Sequence, residues 1–392
     1  MNKKIFMFTG KGGVGKSSVA SCHAIVSAQK NINTVLISID PAHSLSDIFA
    51  HKISSDFTRV MDNLSLVEFD FAKILEEKFP NIKSTLADSF RKVDFSKISY
   101  SSSFDMPFIV NILALLKILD IYEKEEFENI IVDCPASAST FSYLKVPEML
   151  AWYLEKFFGV GKGIIRTLSP ISKYRYKINL PQNETLDKIE LIYKRLIKLQ
   201  SILKDRSIST VRLVSLAEKM VIEESKRDFS YLNLYDYNVD GIFVNRLYED
   251  DKSSFTKKRL EIQEKYLREI ENSFYSLPIY KLNLMKKDMK NIDDLKDFAK
   301  NFDDEILDIK PIEDNQIYEK KDGAYVLRIN IGKIDEVNVY KKGTDINIRL
   351  KDIKRIVSLP SILADVDIEK TQRDDDDLLI IFKKEEGEDM KL

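Results

Sequence analysis

The sequence predicts an α/β fold: a mostly parallel sheet with helices on both faces and a helical subdomain, followed by a small C-terminal β-sandwich. Three observations predict it. Apolar β-rich runs alternate with helical-period segments over most of the chain. A glycine-rich loop directly follows the first run. After Phe302 the pattern changes to brief alternating runs separated by turn residues.

The strand-like runs are Ile5–Thr9, Val35–Ile39, Leu66–Phe69, Ile130–Val132, Val211–Leu216, Gly241–Val244 and Phe274–Ser276. Asp40 and Asp133 each follow such a run, at the carboxyl edge where open α/β sheets bind ligands. Residues from about 70 to 119 and 147 to 203 read as helical insertions. Gly159–Gly163 lacks the spacing of a phosphate loop and reads as a bend between helices. An α/β domain over 1–305 thus precedes a linker at 306–322, where Pro311 falls in a stretch of fading periodicity. The sandwich occupies 323–392, with runs at Ala324–Ile331, Glu336–Tyr340, Asp345–Leu350, Arg355–Leu359 and Leu378–Phe382. Asp374–Asp377 reads as a solvated hairpin loop, without the spacing of a calcium-binding loop.

At 392 residues, one large domain plus a smaller one is the natural division, and 44% hydrophobic residues can bury full cores. No apolar stretch reaches the roughly 18 residues of a membrane span, and the first run leads into the loop rather than a signal peptide. A cytoplasmic protein without an integral membrane segment is expected. The balance of 61 basic against 63 acidic residues gives no general attraction to nucleic acid. Cys22 and Cys134 form no C-x-x-C and read as buried thiols.

Residues 10–17 read G-K-G-G-V-G-K-S and hold four of the twelve glycines. Between a strand and a helix, this G-x-x-x-x-G-K-[ST] pattern is a phosphate-binding loop. Gly10, Gly12, Gly13, Val14 and Gly15 supply inward N–H groups, with Ser18 beside them at the helix start. Lys16 is expected to bridge the β- and γ-phosphates of ATP, and Ser17 to ligate Mg²⁺. Lys11 gives the deviant form of this loop, in which the extra lysine reaches the partner's phosphates across a homodimer interface. Asp40 can orient the attacking water, and Asp133 can hold a Mg²⁺-bound water. His43 reads as fixing local structure.

Together with D-P-A-H-S-L-S-D at 40–47 and D-C-P-A-S-A-S-T at 133–140, the loop resembles the arsenite-efflux and tail-anchored-protein targeting ATPases. Further matches are A-E at 217–218, V-N-R at 244–246 and Leu277-Pro278, so the resemblance covers roughly 1–305. It implies that Asn245 reads the adenine, with Pro278 beside it. The tail resembles an α-crystallin (small heat-shock) domain through Tyr325–Leu327, Arg355–Pro360 and Leu378–Phe382.

The sequence also departs from this family. It has one phosphate loop, no cysteine cluster and no zinc-binding C-x-x-C; Ala138 and Ser139 replace the usual Gly-His of the second switch. The leading expectation is an ATP-driven homodimeric switch that binds a hydrophobic polypeptide or ligand between helices around Phe104–Leu119 and Met149–Leu168. A metalloid-efflux subunit is one alternative, and a holdase chaperone with a regulatory ATPase is another. A septum-positioning ATPase fits poorly, because Lys383–Glu388 has no apolar face.

Overall fold

A computed structural model gives the architecture. It describes residues 3–40, 44–69, 106–147, 184–250, 254–274, 277–287, 289, 291–310, 316–321, 324–332, 336–343, 345–350, 353–359, 363 and 365–382.

In chain order, β1 (Lys4–Thr9) runs into the glycine loop and α1 (Lys16–Gln29) leaves it. β2 (Thr34–Ser38) leads to the short α2 (Ser44–Ile48), and β3 (Thr58–Met61) turns into β4 (Leu64–Glu68). Then follow α3 (Met106–Glu123), β5 (Asn129–Asp133), α4 (Ser137–Leu144) and α5 (Glu184–Lys204). β6 (Ser209–Leu216), α6 (Lys219–Leu234), β7 (Val239–Leu247), α7 (Ser254–Ser273) and β8 (Ile279–Asn283) continue the alternation. α8 (Ile292–Ala299) and a 3₁₀ turn (Asp304–Leu307) end it.

The chain divides into two compact units, Met1–Thr210 with Met285–Ile309 and Val211–Leu284 with Lys310–Leu392. In the first, the strand order is β3-β4-β2-β5-β1, with β3 alone antiparallel to its neighbour. The central residues of β1, β2 and β5 are apolar, and the strands are almost wholly buried, as strands covered on both faces must be. α1 is buried along most of its length, and its small residues Ala20, Ser21, Ala24 and Ser27 allow close packing. His23 lies against Phe6 and Phe8, with ring centroids 4.6 and 5.4 Å away, and its Nε2 is 2.9 Å from the Ile306 carbonyl. The Cys22 thiol donates to the Leu295 carbonyl. α1 is thus pinned between β1 and the 292–307 segment, which fixes the glycine loop at its start.

In the second unit β6, β7 and β8 run parallel. Gly241 is required here: a Cβ would lie 2.8 Å from the Tyr280 ring, which stacks on Phe243. Antiparallel strands β9 (Gln316–Lys321), β10 (Ala324–Asn330), β11 (Asn338–Lys342), β12 (Asp345–Leu350), β13 (Ile353–Ser358), β14 (Ile368–Asp374) and β15 (Asp377–Phe382) follow. They form two sheets, β14-β15-β10-β9 and β11-β12-β13. Leu327, Ile329, Ile346, Ile348, Ile380 and Phe382 form their shared core, against which Tyr231 of α6 packs.

Two expectations need correction. Phe274 ends α7 through its N–H to the Ile270 carbonyl, and the strand comes later, as β8 after Pro278; residues 275 and 276 lie outside the described residues. The linker expected at 306–322 is not irregular throughout, since it holds the end of the 3₁₀ turn and all of β9. Asp374–Asp377 forms the β14–β15 turn, with Asp375 at φ 51°. The Gly159–Gly163 bend and the Met149–Leu168 helix fall outside the described residues.

Candidate functional site

The glycine loop lies at the carboxyl end of β1. Gly13 and Gly15 take φ values of 83° and 94°, the left-handed region that favours glycine. A Cβ on Gly12 or Gly13 would meet nothing within 4 Å, so the loop surrounds open space. Val14 is buried and anchors the loop. The Gly15 carbonyl accepts the Val19 N–H, so the first amides of α1, including those of Lys16, Ser17 and Ser18, point toward the loop. The Lys16 ammonium is buried and donates to the Lys11 carbonyl at 3.3 Å.

Register aligns the rest of the site. Asp133 ends β5 opposite Phe8 of β1 and Ser38 of β2, and Ser38 lies opposite Glu68 of β4. Four neighbouring strands therefore end in one row. The Ser38 hydroxyl donates to Asp133 Oδ2 at 3.0 Å and accepts the Asp40 N–H at 3.4 Å. Asp133 Oδ1 is buried and has no hydrogen-bond partner among the described residues. Burial pushes the Asp133 carboxyl up to about 6, opposed by the Ser17 and Ser38 hydroxyls and the Lys16 charge and aided by Asp40.

The first switch meets the loop where Ser44 donates its hydroxyl to Ser17 Oγ at 2.9 Å. Pro41, Ala42 and His43 lie outside the described residues, so the expected role of His43 is not addressed. The second switch meets it where the Ser137 N–H donates to the Gly10 carbonyl at 3.1 Å. Thr9 donates its hydroxyl to Thr140, which donates to the Pro135 carbonyl. Tyr143 of α4 donates to the Ile39 carbonyl, one residue before Asp40. The side chains of Ala138 and Ser139 lie outside the described residues.

The first unit thus gathers Gly10 to Ser18, Asp40 and Asp133. Asn245 and Pro278 belong to the second unit, on β7 and just ahead of β8. Asn245 is buried, and its Oδ1 accepts the Arg246 N–H at 2.9 Å. Of the expected groove helices, α3 buries Leu113, Leu115, Ile118 and Leu119 as core. Sequence reasoning missed Ser38, Glu68 and Tyr143. The signal for the first two was a single polar residue inside an apolar run, Ser38 between Ile37 and Ile39 and Glu68 between Val67 and Phe69.

These donors suit a metal–nucleotide: an unpartnered carboxylate oxygen, a hydroxyl at the helix start and a loop of inward amides fit a hydrated divalent ion on phosphate. Residues 3–304 match the anion-transporting ATPase family. The chain belongs to that family. It is an ATPase. Residues 322–382 match an HSP20-like domain found in ArsA. A protein of Prosthecochloris vibrioformis named "Putative arsenical pump-driving ATPase" is 30% identical over 92% of this chain and 91% of its own length. An Aquifex aeolicus protein of the same name, numbered 1, is 29% identical over 97% of this chain and 100% of its own. The ATPase get3 of Aspergillus niger is 26% identical over 74% of this chain and 87% of its own. The two longer matches run on into the residues of the appended sandwich, whereas the fungal protein matches over a shorter stretch. As an anion-transporting-family ATPase, the chain binds nucleotide. Among the described residues no helix is long and apolar enough to cross a membrane.

Proposed function

We propose that the chain is an ATP-hydrolysing, cytoplasmic homodimeric switch that binds a hydrophobic polypeptide or ligand in an ATP-dependent way. One observation carries this reading: beneath the glycine loop Ser44 binds Ser17 and Ser38 binds Asp133, whose buried Oδ1 has no hydrogen-bond partner among the described residues. Gly10, Gly12, Gly13, Val14, Gly15 and Ser18 cradle the phosphates, and Lys16 neutralises the β- and γ-oxygens. Magnesium, when bound, would supply positive charge to neutralise the phosphates. Ser17 would hold it directly and Asp133 through a water.

Asp40 accepts a hydrogen bond from the attacking water and aligns it with the γ-phosphate. Lys11 acts from the partner protomer on the same oxygens. Asn245 recognises adenine beside Pro278, because a side-chain amide offers both an acceptor and donors to the base edge. The client reading is supported by the resemblance of 40–47 and 133–140 to the arsenite-efflux and tail-anchored-protein targeting ATPases, taken with the scarcity of cysteines for a metalloid. ATP binding favours the closed dimer and hydrolysis releases it.

A second reading, driving an arsenical pump, is favoured by the names of the two full-length relatives. Against it, Cys22 and Cys134 are both buried, and burial raises both thiols far above their usual range. Neither offers the thiolate that arsenite would bind. Arsenite-stimulated hydrolysis would favour this second reading.

The deciding experiment uses Asp40→Asn, which should trap the ATP-bound dimer. Hydrophobic proteins retained by it with ATP but not ADP support the client reading. Hydrolysis at the wild-type rate by this variant would sink the role given to Asp40.

A further inference from the structure

We propose that Glu68 is a positioning residue of the ATPase, holding residues 44–46 against the phosphate loop so that Ser44 stays on Ser17. The inference rests on the reading of Ser17 as a metal ligand and adds a residue that the motifs do not contain.

Glu68 is buried and is the last residue of β4. Its Oε1 accepts the N–H groups of Leu45 at 2.8 Å and Ser46 at 3.3 Å, and its Oε2 accepts the Ser46 hydroxyl. The Ser46 hydroxyl oxygen in turn accepts the Ile53 N–H at 3.2 Å. A carboxylate this buried is tolerated only when donors surround it. Leu45 and Ser46, which supply these three donors, belong to the one-turn helix that follows Asp40.

That helix is too short to hold its shape alone, because one turn fixes many dihedrals for few hydrogen bonds. Its anchors are the buried Leu45 side chain and this carboxylate. The carboxylate is itself fixed by the sheet: Glu68 pairs with Ser38 in register, and the Phe69 N–H donates to the Ser38 carbonyl. Ser38 also binds Asp133. One strand-end row therefore sets both Asp133 directly and, through Glu68 and α2, the hydroxyl that Ser44 gives to Ser17.

Four variants test this: Glu68→Ala, Glu68→Gln, Ser44→Ala and, as the control on the Ser17 reading, Ser17→Ala. They are compared in the full-length protein well below its melting temperature. Three measurements are made: amide hydrogen exchange over residues 44–50 without nucleotide, equilibrium binding of fluorescent ADP with and without magnesium, and steady-state ATPase kinetics. Glu68→Ala should speed exchange at Leu45 and Ser46 by about tenfold or more and lower kcat about tenfold, with KM within about threefold. It should also shrink the tightening of ADP that magnesium causes. Glu68→Gln keeps the Oε1 acceptor and should fall between Ala and wild type. Ser44→Ala should reduce the magnesium-dependent tightening while leaving exchange at Leu45 and Ser46 nearly unchanged.

A purely architectural Glu68 would lower stability while kcat per folded molecule stayed at the wild-type value, and that result overturns the proposal. Ser44→Ala with undiminished magnesium-dependent tightening, where Ser17→Ala abolishes it, overturns it too. If Ser17→Ala itself leaves the tightening intact, the metal role of Ser17 fails, and Glu68 is then judged on exchange and kcat. Should Glu68→Ala not fold, Glu68→Gln and Ser44→Ala carry the same outcomes.

Discussion

Ser38 and Asp133, fully buried on neighbouring parallel strands, are joined by a hydroxyl-to-carboxylate hydrogen bond of 3.0 Å. That bond is one of few things favouring a charge on Asp133, because burial outweighs it and lifts the carboxyl to about 6. A folded-state value above the ordinary carboxylate value means that the native protein binds the proton more tightly than the unfolded chain. The group therefore costs no stability below about pH 4, loses stability as pH rises to about 6, and holds that cost above it. Asp133→Asn should accordingly raise the melting temperature of the nucleotide-free protein at pH 7.5, by on the order of 2–3 kcal/mol in stability. The gain should vanish near pH 4. In the wild type, magnesium-dependent nucleotide binding should weaken as pH falls through about 6, where Asp133 is protonated.

Gly12 and Gly13 separate two roles of the loop. Neither has an atom within 4 Å of where a Cβ would stand, but only Gly13 has a positive φ, 83°. Gly13→Ala should cost about 1–2 kcal/mol of stability from backbone strain, and Gly12→Ala close to nothing. Both should weaken nucleotide binding at least about tenfold, because each methyl enters the space where phosphate oxygens approach. Chemical melts and fluorescent-nucleotide titrations read the two effects separately.

The buried pair of Arg212 and Asp240 ties β6 to β7, at 2.9 Å from Nε to Oδ1 and 3.1 Å from Nη2 to Oδ2. Both side chains are fully buried, and Asp240 Oδ2 also accepts the Lys310 N–H at 3.1 Å. Asp240→Ala leaves a buried guanidinium and a backbone N–H without this carboxylate, which should cost about 3–5 kcal/mol. The sandwich starts just beyond Lys310, so hydrogen exchange should also quicken in β9. A melt of Asp240→Ala indistinguishable from wild type would contradict this account.

The site was more legible than its supports. The glycine loop, Asp40 and Asp133 were readable because spacing and residue type together define phosphate chemistry. Ser38 and Glu68 were not, since each is one polar residue in an apolar run whose partner is set by strand register. β14 escaped detection because Ile368–Asp374 is a charged and exposed edge strand, with no apolar alternation to mark it. β9, another edge strand, was read as linker because Gln316–Lys321 is mostly polar and charged in sequence. β8 was misplaced because Phe274 and Leu277 are buried at the end of α7 and in the turn after it, which imitates a strand in the sequence.

Whether Lys11 works across a dimer can be decided by mixing two inactive proteins. In the proposed arrangement each site uses its own Asp40 and the partner's Lys11. Lys11→Ala and Asp40→Asn should each be inactive as homodimers. In a heterodimer of the two, the site on the Lys11→Ala protomer has an intact Asp40 and receives Lys11 from its partner. The other site lacks both groups. Equal mixing with random exchange makes half the dimers mixed, so about a quarter of wild-type ATPase activity should return. If Lys11 serves its own protomer instead, no site is complete in any combination, and activity stays at background. Mass photometry of the mixture, with one variant carrying a fused mass tag so that the mixed dimer has its own mass, confirms that dimers form and exchange and makes either outcome decisive.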